Sequence, residues 1–102
     1  MEAERATPHL HASELRWFEY EPTDLVAAAG EDNHLALANR LAVCRRAAWR
    51  CDAYLAFTEV GPGGVADTVM VWSGSEEYAV DLDRQGAPVG VEFISRLPCS
   101  SD

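Results

Sequence analysis

At 102 residues the chain has room for a single domain with one core, and 48% hydrophobic against 25% charged residues is a globular balance, not a disordered one. Seventeen carboxylates against eight cations, all arginine, set a formal charge of −9. That field repels phosphate backbones, so nucleic acid is disfavoured and a basic protein is the partner the charge fits.

Residues 1–13 are polar and contain Pro8, the composition of a loose lead-in. The aromatic-rich run Glu14 to Tyr20 reads as a strand, with Leu15 and Trp17 on one side and Phe18 and Tyr20 on the other. Pro22 ends it. Thr23 or Asp24 then caps a short helical turn, Leu25 to Ala29, with Gly30 suited to stop it. Asp32 or Asn33 can cap a long helix from about His34 to Leu55. Along it Leu37, Leu41, Cys44, Ala48, Cys51 and Leu55 recur at steps of four and three, stacking into one seam. Leu35, Ala38, Ala42 and Trp49 make a second apolar strip. A helix apolar on two sides is sandwiched inside its domain or shared with another chain, and this is the ground for expecting a homo-oligomer, in its simplest form a homodimer.

The Gly61-Pro-Gly-Gly64 break precedes three candidate strands, Thr68 to Ser73, Glu77 to Asp83 and Val89 to Ser95. The turn from Asp83 to Pro88 joins the last two, with Gly86 free to take positive φ. Pairing Tyr78 with Phe93, Val80 with Val91 and Leu82 with Val89 puts the large apolar residues other than Ile94 on one face. The strand from Thr68 to Ser73 is apolar on both faces, which predicts a central position. The expected fold is therefore α+β, one long helix packed on a small antiparallel sheet of three to four strands. It forms a single domain over residues 1–102, with residues 14–56 supplying a strand and helices and residues 66–96 the β unit.

Residues 66–95, with Asp67, Asp81, Asp83, Gly86, Gly90 and Glu92, resemble a short bacterial domain family of unknown function. Its pattern is Asp-x-Leu-Tyr-Ile, then Asp-x-Asp-x-x-Gly and Gly-Ile-Glu. Val69 and Met70 stand where that family has Leu-Tyr, and the N-terminal half of the chain lies outside the match. The resemblance implies a β hairpin and no defined activity.

Candidate chemistry is sparse, and no constellation points to a catalytic residue. Asp81, Asp83 and Glu92 can share a sheet face and meet a basic partner or a hard cation, although a solvated face is the simpler reading. Arg46 and Arg50, clustered with Asn39 between the helix strips, are further partner contacts. His9, His11 and His34 lack the fourth ligand of a metal site, so neither metal nor cofactor is expected. Cys44 and Cys51, seven residues apart on one helix, are too distant for a disulfide and read as core thiols, with Cys99 exposed. With no apolar leader in the first residues and no stretch of transmembrane length, a reducing cytoplasm and no membrane partner are expected. The run from Leu37 to Arg50 is similar to the helix-turn-helix pattern of bacterial regulators, but Ala42 occupies the usual glycine position and the domain is acidic.

Two functions fit these residues. The leading one is a small acidic interaction or regulatory module without catalytic activity, of the kind supplied by mobile-element, immunity or inhibitor-type proteins. The alternative is a small-ligand binder or enzyme, with Trp17, Trp49, Trp72 and Tyr78, beside Phe18, lining an aromatic pocket between helix and sheet.

Overall fold

The computed structural model describes residues 14–59, 64–74 and 76–94. Six strands, β1 (Phe18–Glu19), β2 (Arg46–Cys51), β3 (Tyr54–Ala56), β4 (Asp67–Ser73), β5 (Glu76–Leu82) and β6 (Pro88–Phe93), build one sheet in the order β1-β2-β3-β6-β5-β4. All its pairings are antiparallel. Two short helices, α1 (Thr23–Glu31) and α2 (Leu35–Leu41), pack against one face. The fold is α+β, but the single long helix on three to four strands is wrong.

Two apolar strips on a helix and two buried faces of a strand are hard to tell apart in sequence, and the segment after Ala42 is the latter. α2 stops at Leu41, a turn follows, and residues 46–56 form the β2–β3 hairpin. Ala47 and Ala48 are both fully buried, on opposite faces of β2. Small alanines on both faces hide the period-2 alternation that marks a half-buried strand, while their high helix propensity favours the wrong reading. Pairing with both β1 and β3 outweighs that propensity. The turn at Ala42 also leads into a strand, so no recognition helix follows α2.

α1 runs two residues beyond the expected stop at Ala29, through Gly30 to Glu31. Its end is made by Asn33 at φ 63°, with His34 N–H donating to the Ala29 carbonyl and Asn33 N–H to that of Gly30. This is a left-handed cap carried by asparagine, the residue other than glycine that tolerates it best.

The hairpin of β5 and β6 keeps the expected register at Tyr78–Phe93 and Val80–Val91, but a shift after Asp81 sets Leu82 opposite Pro88 and not Val89. Gly86 takes φ 80° in its turn. Asp83 Oδ1 accepts from the backbone of Gln85 and Ala87, which folds the loop onto its own carboxylate. Arg40 of α2 donates to the Gln85 carbonyl at 2.9 Å and lies against Gly86, tying the helix layer to this loop. β4 is the edge strand, not a central one. Its Val69 and Val71 face the helices, whereas Met70 and Trp72 face the other way and stay exposed.

The core lies between helices and sheet: Leu25, Ala28, Ala29, Leu37, Ala38 and Leu41 against Ala47, Leu55, Phe57, Val71, Val80 and Val91. Residues 1–13 and Cys99 lie outside the described residues, as do His9 and His11.

Candidate functional site

The sheet face turned away from the helices carries most of the polar chemistry. Register places its residues in rows across the strands. One row is Thr68, Asp81, Gly90, Ala56 and Ala48; the next is Met70, Ala79, Glu92 and Tyr54. Trp72 and Glu77 pair in a third row, where the Ile94 N–H donates to the Glu77 carbonyl.

Asp81 is the hub of this face. Its Oδ2 accepts the Tyr54 hydroxyl at 2.7 Å and its Oδ1 accepts the Thr68 hydroxyl at 2.8 Å. Tyr54 reaches Asp81 by laying its ring over Gly90, where any Cβ would collide with the phenol. Burial first, then the bond to Asp81 and the charge of Asp81, push the Tyr54 phenol far above its ordinary range; Arg50 opposes them and Glu92 adds to them. Tyr54 is thus a fixed hydrogen-bond donor at neutral pH. Arg50 is only 5% exposed and shares this neighbourhood.

Of the residues expected to meet a partner, the fold gathers Asp81, Glu92 and Arg50 about Tyr54. Asp83 is separate, committed to its own turn. Arg46 is exposed and stacks on Trp17 with its guanidinium carbon 4.2 Å from the ring centroid. The four expected ligand-binding aromatics do not converge. Trp49, Phe93 and Tyr78 form a row with centroids 5.6 and 5.4 Å apart, on the helix-facing side. Trp17 lies with Arg46, and Trp72 faces outward from β4. A shallow open depression of about 390 Å³ is lined elsewhere, by Glu21, Pro22, Thr23, Val26, Ala27, Ala42 and Arg45. Its Arg45–Glu21 ion pair, at 3.1 Å, is solvent-exposed.

The cysteines also depart from expectation. Cys51 is disulfide-bonded, while Cys44 is a free thiol. Burial pushes the Cys44 thiol up to about 11, so it stays protonated and unreactive at neutral pH. His34 lies 3.4 Å from the Asp32 carboxylate. Among the described residues no group of three or more His, Cys, Asp and Glu is placed to hold a metal ion, and no helix is long and apolar enough to cross a membrane.

Tyr54, Thr68 and Met70 are the residues of this face that the sequence did not reveal. Tyr54 was hidden inside the supposed helix; the Asp52-Ala53 step before it, now the turn of the β2–β3 hairpin, was the available signal. No family model, curated protein or solved structure matches the chain.

Proposed function

We propose that this chain is a non-catalytic interaction module that holds a basic protein on the β4 side of its outer sheet face. The observation that carries the reading is the pairing of exposed apolar surface with one sign of charge. Trp72 is 55% and Met70 39% exposed, side by side on the edge strand. Glu77 lies across from Trp72, and Glu92 lies one strand beyond Ala79 in the Met70 row. Arg50, the cation on this face nearest Tyr54, is buried and adds little positive surface. A tryptophan beside carboxylates suits an arginine or lysine that stacks on the ring while pairing with the acid. Tyr54, Asp81 and Thr68 hold the strands beneath in fixed geometry, which lowers the ordering cost of binding.

The self-association expected from a two-sided helix loses its ground, because that helix is replaced by α2 and two strands. The disulfide at Cys51 supports an oxidising compartment in place of the expected cytoplasm. Alkylation of the denatured, unreduced chain should then modify one cysteine, against three after reduction; three in both states would contradict it.

Calorimetry with a synthetic peptide of alternating lysine and leucine tests the binding face at about 0.15 M salt, where long-range attraction is screened. Trp72→Ala should abolish binding and Glu77→Gln with Glu92→Gln should weaken it. Leu35→Ala, which removes an exposed apolar side chain on α2, should change nothing. Equal losses at Leu35 and Trp72, or none at Trp72, would refute the assignment.

A further inference from the structure

We infer that the outer edge of β4, terminal among the described strands, is a pairing edge for a second copy of this chain, kept closed by the carboxylates of Asp32 and Asp67. The direction of each backbone group follows from the ladder. Ile94 N–H donates to the Glu77 carbonyl, so residues 77, 79 and 81 of β5 turn their backbone groups toward β6. Residues 76, 78, 80 and 82 then face β4, and their partners 73, 71, 69 and 67 face back. The backbone groups of Thr68, Met70 and Trp72 are left pointing outward along the edge.

Two of these three outward donors are occupied. Asp67 Oδ1 accepts the Thr68 N–H at 2.8 Å, and Asp32 Oδ2, from the turn after α1, accepts the Trp72 N–H at 3.0 Å. Next to the latter, the Ser73 hydroxyl donates to Glu31 at 2.8 Å. The blocked donors sit symmetrically about Met70. A second β4 paired antiparallel about a two-fold axis at Met70 would bring Thr68 opposite Trp72 in both directions. Each carboxylate therefore holds the place that the other copy's carbonyl would take. The same pairing would lay Met70 against Met70 and Trp72 against Thr68 on the outer face, covering the apolar side chains exposed there. An uncapped strand of seven residues with this apolar flank is a template for edge-to-edge association. The opposite edge, β1, has only two residues and offers little to pair with.

The inference shares Met70 and Trp72 with the surface proposed above but rests on the backbone donors of the edge, so sedimentation with no peptide present tests it apart from that reading. Sedimentation of the full chain tests it. The wild type should run as one copy, and the Asp32→Ala, Asp67→Ala double variant should shift to two as concentration rises. Adding Met70→Pro, which removes the central donor from an edge where proline is tolerated, should restore one copy. A folded double variant that stays monomeric, or a dimer that survives Met70→Pro, overturns the inference. Amide exchange in the wild type gives a second reading that needs no variant: Thr68 and Trp72 should exchange more slowly than Met70. Protection at Met70 equal to theirs would equally overturn it.

Discussion

The two faces of the sheet are built on different principles. The helix-facing side is dry and non-directional: Val71, Val80, Val91 and Leu55 are almost wholly buried against Leu25, Leu37 and Leu41. The outer side depends on geometry, with one carboxylate on β5 bridging the phenol of β3, two strands away, and a hydroxyl of β4, and a glycine on β6 that must stay bare. Apolar burial stabilises in proportion to area, whereas these part-buried and exposed hydrogen bonds add little net stability each and act by fixing direction. The first face therefore holds the fold and the second fixes a surface.

Perturbations of the two faces should differ in size and in kind. Leu41→Ala on the helix side empties a fully buried site and should cost about 2–5 kcal/mol, read as a lower denaturant midpoint at constant slope. Gly90→Ala should be the costliest change on the outer face, at roughly 1–3 kcal/mol, because the added methyl displaces the Tyr54 ring. It should also free that phenol to titrate earlier. Tyr54→Phe removes one donor from Asp81 and should cost about 1–2 kcal/mol, less than the glycine change, since Thr68 still donates.

The pH dependence of this face has a definite sign. The folded state binds the Tyr54 proton more tightly than the unfolded chain, whose phenol has the ordinary value of 10.0. That contribution is complete below the unfolded value and is lost as the pH rises through it toward the folded one. Tyr20, pushed up to about 12 chiefly by burial, acts in the same direction. Stability should accordingly fall above about pH 10, and Tyr54→Phe should flatten the decline in an alkaline denaturation series. The smallest effect is expected at Trp72→Ala: within about 0.5 kcal/mol in stability, because an exposed side chain carries little of the core, yet decisive for binding.

The hairpin from Glu76 to Phe93 was legible because its alternation is plain, its turn carries Asp83 and Gly86, and a slipped register would have inverted a whole face. The segment from Ala42 to Ala56 was not. Its strands are apolar on both sides and alanine-rich, so spacing alone could not separate 3.6-residue from two-residue periodicity. β4 misled in the opposite way. Its two apolar faces suggested a central strand, but Met70 and Trp72 lie on the outward face of an edge. Asp81 and Glu92 were placed correctly on one face from the hairpin register, while their link to Tyr54 depended on β3, a strand the helical reading had removed.

The most direct test is chemical-shift mapping of the isotopically labelled full chain against the lysine–leucine peptide. Shifts should concentrate at the Trp72 indole, the Met70 methyl and the amides around Glu77 and Glu92, with the amides of α1 and α2 unmoved. Shifts centred on the helix layer, or spread evenly over every exposed carboxylate, would contradict the assignment of the outer face as the binding surface.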